Sequence, residues 1–177
     1  MLRKLLILSS LLLVAFALMM ATTGQVEFAV DHELRLAASP AQVWEVLADV
    51  DAWPHWWPGF VAARVTPALH AGARLDLALQ GDPGKKPATI ETVVAERKLS
   101  WVRGGVLGST TRTSLRLDPV DEETLISMHS AIRGPQAFLA RLTSQDKFTA
   151  YQQAVLEALR LRVSPEGRPV LPSASNP

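Results

Sequence analysis

The residue types that most often carry metal or nucleophilic chemistry occur in this sequence without the spacing that such chemistry needs. The four histidines, His32, His55, His70 and His129, show no HExxH spacing and no accompanying cluster of acids. The chain has no cysteine, which excludes disulfides, thiolate ligands and thiol nucleophiles. We therefore predict no metal site and no cofactor, and spacing alone gives no residue a catalytic role.

Two glycine-containing stretches resemble functional motifs only in part. "GDPGKKP" (residues 81–87) has too few residues between its glycines for a phosphate-binding loop, and no Ser or Thr follows its lysines. "GGVLGS" (residues 104–109) lacks the Gly-x-Ser-x-Gly order of a nucleophile elbow. We interpret the first stretch as a turn and the second as a hairpin loop.

Three of the five tryptophans lie in "DAWPHWWPGF", residues 51–60. Trp53, Trp56 and Trp57 follow i, i+3, i+4 spacing, so one helical turn places them on one face. The favoured interpretation is a plug that closes one end of a hydrophobic core and packs on a long helix. The alternative is that one ring lines the mouth of a pocket or contacts lipid, because tryptophan favours the membrane interface.

Six polar side chains are candidates to face a pocket: Arg35, Asp76, Arg103, Arg112, Arg116 and Tyr151. Most of them are out of phase with the apolar residues around them, which favours a solvated outer face. Tyr151 is the best single candidate, because it lies on the apolar stripe of a predicted helix. If it is buried, its hydroxyl needs a partner, which is either a ligand carbonyl or a neighbouring strand.

The elements that must position these residues follow from hydrophobic periodicity. Residues 26–37 predict a first strand. Ser39 and Pro40 then predict the N-cap and first position of a helix over residues 40–50, and residues 51–57 predict a second short helix. Alternating segments predict six further strands, at residues 60–66, 73–80, 88–97, 99–104, 110–117 and 124–133. A 3.6-residue period then predicts one long helix ending near Val163, with Phe138, Leu142, Phe148, Tyr151, Val155 and Leu159 on its apolar stripe.

This element order predicts an α+β fold with an internal cavity. A seven-stranded antiparallel sheet with one apolar face must curl around the single long helix to bury both surfaces. Side chains alone seldom fill such a space, so we expect an enclosed and mostly apolar pocket. The candidate cavity or entrance residues are Trp53, Trp56, Trp57, Leu75, Leu77, Leu79, Trp101, Ile126, Met128, Tyr151 and Val155.

The first 24 residues predict a signal anchor or signal peptide. Arg3 and Lys4 precede an apolar run from Leu5 to Ala21, and the small-residue pattern of a cleavage site is weak, which favours an uncleaved anchor. The positive-inside rule places the following domain outside the cytoplasm, in the periplasm if the source is a Gram-negative bacterium. If the segment is cleaved, the domain is secreted or periplasmic.

The remaining chain divides into a domain over residues 25–163 and a proline- and serine-rich tail over residues 164–177, which we expect to be disordered. Without Arg3 and Lys4, the 18 Lys and Arg fall to 16, against 17 Asp and Glu. This balance argues against a nucleic-acid partner, which requires a concentrated basic surface.

Several stretches together resemble the SRPBCC helix-grip superfamily, which includes START-type lipid-transfer, Bet v 1-like and polyketide cyclase/dehydrase-like proteins. They are "LRLAASPAQVWEVLADVDAWPHWWPGFVAARV", the turn at Gly72, "ERKLSWVRGG", and Gly134 before the last helix. The resemblance covers about residues 30–162. It implies a pocket between the sheet and the C-terminal helix, bounded by the two small helices, and it carries over no catalytic residue.

Three functions remain open at this point. The preferred one is a membrane-anchored or exported module that binds or carries a hydrophobic small molecule or lipid. A cyclase/dehydratase-like enzyme requires at least two converging polar side chains in the cavity, and the sequence offers one clear candidate, Tyr151. A co-chaperone-like domain with a protein partner requires an exposed apolar patch, for which Trp56 and Trp57 are the candidates.

Overall fold

The computed structural model describes most of the predicted domain. The described residues are Ile7, Ser10, Leu11, 27–105, 108–143 and 145–164. Apart from the three near the N-terminus, the predicted signal segment lies outside the described residues, and so does the tail after Ser164. Across the described part of the chain, no helix is both long and apolar enough to cross a membrane.

Seven antiparallel strands form one sheet, and helices flank its ends. The elements are β1 (Glu27–Leu36), α1 (Pro40–Ala48), a 3-10 helix (Val50–His55), β2 (Phe60–Thr66), β3 (Arg74–Leu79), β4 (Asp82–Val94), β5 (Lys98–Gly104), β6 (Thr110–Val120), β7 (Glu123–Arg133), α2 (Pro135–Thr143) and α3 (Gln145–Val163). The strand order is β1-β7-β6-β5-β4-β3-β2, so every pairing except β1 with β7 joins strands that are consecutive in the chain.

The sheet curls around α3. Leu36 of β1 and Ala63 of β2 belong to one buried cluster, although these strands form opposite edges of the sheet. The same cluster includes Val155 and Leu159 of α3. Burying both sheet edges against one helix satisfies the apolar face of each element, as the sequence predicts.

The N-terminus of α1 is capped as the sequence predicts. Ser39 caps α1, since its hydroxyl accepts from the backbone N–H of Gln42, while the Gln42 side chain accepts from the backbone N–H of Ser39 at 2.9 Å. Pro40 occupies the first helical position, where its missing N–H has no cost. This capping box directs the chain from β1 across the end of the sheet.

The predicted long C-terminal helix is present as α3 and ends at Val163 as expected, but Pro135–Thr143, which the sequence analysis included in it, form the separate helix α2. Phe138 and Leu142 were expected on the buried stripe, but they are 51% and 67% exposed. The buried positions of α2 are Ala137 and Ala140, which pack with residues of β1 and β7. Small side chains let α2 approach the sheet closely, and its buried face does not continue the stripe of α3.

The turn predicted over residues 81–87 is shorter in the structure. Gln80 and Gly81 form a two-residue hairpin turn, with Gly81 at φ +81°, and Leu79 pairs with Asp82. β4 therefore begins at Asp82, whereas the sequence predicts a strand from residue 88. Pairing of β4 with β5 begins only at Ala88, so the preceding residues pair on one side, where proline is tolerated.

Candidate ligand-binding cavity

A cavity of about 320 Å³ lies between the inner face of the sheet and the N-terminal half of α3. Its apolar wall includes Trp57, Phe60, Leu77, Leu79, Trp101 and Met128. This volume is near the lower end of the roughly 300–1,000 Å³ of small-molecule sites. It is about twice the ~150 Å³ of a protein cavity that holds benzene. The size suits a single compact ligand.

The cavity exists because the inner-facing side chains change along each strand. On β6, Leu117 and Leu115 face the core, and the next inner positions are Thr113 and Thr111. On β7, Met128 is followed by the inner-facing Ser130. Thr113 pairs with Ser130, so two short polar side chains stand side by side where the neighbouring row has Leu115 and Met128. The shorter side chains leave the space and give it a polar end.

The tryptophan cluster forms the floor of the cavity. Trp53 is fully buried and donates its indole N–H to the Leu47 carbonyl at 3.0 Å. Its ring centroid lies 5.0 Å from that of Trp57 and 5.2 Å from that of Trp101. Trp53 is therefore a core plug, as the favoured interpretation states, whereas Trp57 and Trp101 also reach the cavity wall.

Tyr151 connects the floor to α3. Its hydroxyl oxygen accepts the indole N–H of Trp57 at 2.9 Å, and its own O–H has no acceptor among the described residues. Burial raises the pKa of Tyr151 above its ordinary value, and the Trp57 hydrogen bond and the charge of Arg103 partly oppose that rise. The phenol is thus neutral at physiological pH and keeps one proton available to donate into the cavity.

Arg103 places a cationic group on the cavity wall. It follows Trp101 by two residues on β5, and it is half-buried. It makes no ion pair with any residue that the structure describes, and no described acidic residue lines the cavity. Thr111, the β-sheet partner of Arg103, lines the cavity beside it. One end of the cavity therefore carries a positive charge and hydroxyl groups.

The structure brings together about half of the predicted site residues. Those on the cavity wall are Trp57, Leu77, Leu79, Trp101, Met128 and Tyr151. Those that pack in the core without lining the cavity are Trp53, Leu75, Ile126 and Val155, each at most 1% exposed. Trp56 is half-buried against the core, and its indole N–H has no hydrogen-bond partner in the described structure. The four core residues are covered by neighbouring side chains and have no surface left for a ligand.

Three hydroxyl-bearing residues of the cavity wall are not among the predicted site residues. Thr111 and Thr113 lie on the same face of β6 as Leu115, and Ser130 lies on the same face of β7 as Met128. The alternation in the sequence therefore predicts that these three residues face inward. Arg103 shares the parity of Trp101, although the sequence favoured a solvated outer face for it. Alternation along the strands indicates that these positions face inward, but it does not indicate that they line a cavity rather than the core.

The other polar candidates lie on the outer face of the sheet. Arg112 forms a bidentate pair with Glu91, with N–O distances of 2.6 and 2.7 Å, and Arg116 pairs with Asp118. The Glu91 pKa is lowered chiefly by its hydrogen bond with Arg112. Asp76 pairs with Arg74, and Arg35 is exposed. Among the described residues, no group of three or more His, Asp or Glu is placed to hold a metal ion.

A curled seven-stranded antiparallel sheet that holds a C-terminal helix and a cavity defines the SRPBCC helix-grip class. A family model described as "Polyketide cyclase / dehydrase and lipid transport" matches residues 27–164, and the chain belongs to this family. No curated protein matches the sequence.

Solved structures support the same fold at low sequence identity. A hypothetical protein from Helicobacter pylori matches with a TM-score of 0.67 and 15% identity, covering 77% of this chain and 88% of that one. A truncated norcoclaurine synthase from Thalictrum flavum matches with 0.64 and 19%, covering 80% and 96%. A START superfamily protein from Mycobacterium smegmatis matches with 0.59 and 16%, covering 76% and 96%. At these identities the likeness establishes the fold.

Proposed function

We propose that this protein binds or carries one compact hydrophobic molecule, a small lipid or a polyketide-like compound, in the cavity beneath α3. The observation that carries the proposal is the cavity itself, about 320 Å³ in volume and walled mainly by aromatic and aliphatic side chains. Burial of an apolar ligand there contributes about 25 cal/mol per Å² of surface removed from water. The family, whose description includes lipid transport, supports the same function.

A cyclase/dehydratase-like activity is the second candidate, and the polar end of the cavity favours it. Arg103, Ser130 and Tyr151 all line the cavity, which meets the requirement for converging polar groups. Tyr151 supplies an acid and Arg103 a charge that stabilises a developing oxyanion. However, no His, Asp, Glu or Lys lines the cavity among the described residues, so a general base to remove a substrate proton is not part of that wall. Binding without turnover therefore remains the preferred function.

The protein-interaction alternative loses its proposed surface. Trp57 is 2% exposed and Trp56 is half-buried, so these rings do not form an exposed apolar patch. Trp57 donates its indole N–H to Tyr151, and its ring packs against Phe60 and Trp56. We therefore do not assign a protein partner to this cluster.

We also propose that residues 1–24 anchor the domain at a membrane and that the domain lies on the extracytoplasmic side. The basic start and the apolar run in the sequence support this topology. The chain lacks cysteine, so Val61→Cys, at a position 59% exposed, introduces one accessible thiol. A membrane-impermeant maleimide should label this variant in intact spheroplasts. Labelling only after lysis would contradict the topology, and the intact mass of the product shows whether the segment is cleaved.

The binding proposal is tested by native mass spectrometry of the full-length chain purified from its own host membranes, followed by organic extraction. We expect a stoichiometric hydrophobic ligand. Thr113→Leu is the control, because it replaces a hydroxyl on the cavity wall by a larger apolar branch while the rest of the surface is unchanged. An equal amount of ligand in the two proteins would count against binding in the cavity.

The same preparation separates the two candidate functions. If the extracted ligand, incubated with the protein, loses water or cyclises, and Tyr151→Phe slows that change, the protein is an enzyme. If the ligand is recovered unchanged, the binding function stands. An apo mass, with no hydrophobic compound raising the unfolding temperature, would contradict both functions.

A further inference from the structure

The cavity wall contains a cationic side chain that no described acidic residue neutralises. Arg103 faces the cavity, is half-buried, and has no acidic partner among the described residues. By contrast, Arg74, Arg112, Arg116 and Arg133 each pair with a carboxylate on the outer face. A guanidinium beside an apolar space is costly to desolvate unless an anion accompanies it.

Three further donors line the same cavity. The hydroxyl of Tyr151 has no acceptor among the described residues, and Tyr151 lines the same cavity as Arg103. Thr113 and Ser130, a directly paired couple on β6 and β7, add two hydroxyls to the wall. The cavity wall thus combines several donors, one of them cationic, with the apolar side chains of its floor.

Resting on the proposed binding function, we infer that the ligand is an amphipathic monoanion, specifically a carboxylate with a compact apolar body. Its carboxylate pairs with the Arg103 guanidinium and accepts the Tyr151 O–H, while its body lies on Trp57 and Trp101. The arginine fork fits a carboxylate in a bidentate arrangement. A single cation matches a single negative charge, which favours a carboxylate over a phosphate monoester that carries up to two.

The test compares four probes with the same eight-carbon chain: octanoate, octan-1-ol, octylammonium and octyl phosphate. Each is titrated at neutral pH into the full-length chain in lipid nanodiscs, with empty nanodiscs as the blank. Tryptophan emission reports occupancy, since two of the five tryptophans, Trp57 and Trp101, line the cavity. We expect octanoate to bind about 10- to 100-fold more tightly than octan-1-ol, the range for hydrogen bonds to a charged group. Octylammonium should bind most weakly.

Arg103→Gln should remove the preference for octanoate, and Arg103→Lys should retain part of it, because a lysine keeps the charge and loses the fork. Arg35→Gln is the matched control, because it removes an exposed arginine from the outer face of β1. Its preference should equal that of the wild type. Circular dichroism of each variant verifies that the fold is retained.

The outcomes separate this inference from the function on which it rests. If octanoate and octan-1-ol bind equally well, and Arg103→Gln changes neither, the carboxylate inference is overturned while the binding function stands. Tighter binding of octyl phosphate than of octanoate would also overturn the carboxylate assignment. If none of the four probes binds and the purified protein carries no hydrophobic ligand, both proposals fail.

Discussion

The two halves of the interface between α3 and the sheet differ, although the same helix and the same strands build both. In the C-terminal half of α3, Val155, Leu156 and Leu159 are at most 1% exposed and pack in the main core. In the N-terminal half, Phe148 and Tyr151 face the cavity. One half is filled, and the other is hollow.

The difference arises from side-chain size on a continuous backbone ladder. In the filled half, Leu115 pairs with Leu99 on β5, and its partner on β7 is Met128, which borders the cavity. Two residues along β6, Thr113 pairs with Trp101 and Ser130 without any shift in register. The strands need no break to create a cavity, because replacing large aliphatic side chains by Thr and Ser is enough. This teaches that the ligand site is encoded in a few inner-facing positions and not in the fold alone.

The largest effect is expected from Leu156→Ala, which hollows the filled half. Leu156 is fully buried, so truncation removes apolar contacts and leaves a cavity that the packed core cannot close. We expect a loss of about 2–5 kcal/mol in the free energy of unfolding, measured by chemical denaturation. Leu161→Ala in the same helix is the control: Leu161 is 57% exposed, and its truncation should change stability by less than about 0.5 kcal/mol. Equal costs for the two variants would show that α3 is not packed as described.

Thr113→Leu makes the opposite change and fills the hollow half. The added methyl groups enter existing space, so stability should rise by about 0.5–2 kcal/mol, as cavity-filling substitutions often do. Affinity for octanoate should fall at least about tenfold, since the ligand and the new side chain compete for one volume. The matched small-to-large change in the filled region is Ala88→Leu, at a position 2% exposed, which should cost about 1–3 kcal/mol. If Thr113→Leu is as destabilising as Ala88→Leu, the space is not there.

The sequence predicts which strand positions face inward, because successive side chains alternate between the two faces of a sheet. The periodicity and the turn residues predict where β2 and β7 begin and end. Successive hairpins predict the order of the strands from β2 to β7 in the sheet. The division of the C-terminal helix was missed, because Phe138 and Leu142 continue an apolar period that the structure exposes to solvent. α2 buries the face that carries Ala137 and Ala140, because these small side chains pack against the sheet. Alanine contributes little to a hydrophobic pattern, so the pattern does not predict this face.

The candidate site was predictable only in part. Parity identifies Thr113 and Ser130 as inward-facing, but it does not tell whether inward means core or cavity. That distinction depends on how far the helix stands from the sheet, which is a tertiary property. The hydrogen bond between Trp57 and Tyr151 joins residues 94 positions apart, and it likewise follows from the docking of α3 and not from any local pattern.

Tyr151→Phe sharpens the comparison by removing one hydroxyl from the hollow half. Trp57 loses its acceptor, so we expect a loss of about 1 kcal/mol in the free energy of unfolding. The pKa of Tyr151 is raised in the folded state, so the unfolded chain releases this proton first. The contribution of Tyr151 is therefore complete below pH 10.0 and is lost as the pH rises from there through the higher folded pKa.

Two measurements test this assignment. Tyr151 is the only tyrosine of the chain, so absorption of the tyrosinate ion titrates it alone. The stability difference between wild type and Tyr151→Phe should shrink between pH 10.0 and the folded pKa. Trp57→Phe is the companion variant, because it removes the donor and leaves the phenol in place. Titration of Tyr151 at its ordinary pKa in the native protein would show that the hydroxyl is solvated and not part of the cavity wall.

The smallest effect is expected from Arg112→Gln, which compares the two faces of the sheet. Arg112 and Glu91 form a bidentate pair on the outer face, but both side chains are partly exposed, so water screens the attraction. We expect less than about 1 kcal/mol of destabilisation, and a double-mutant cycle with Glu91→Gln isolates the pair. The pKa of Glu91 is lowered, so this contribution is present above pH 4.5 and is lost as the pH falls through the lower folded pKa.

The affinity of Arg112→Gln for octanoate should equal that of the wild type, because Arg112 faces away from the cavity that Arg103 lines. If Arg112→Gln loses as much affinity as Arg103→Gln, the net charge of the protein governs binding, and not the position of the Arg103 guanidinium.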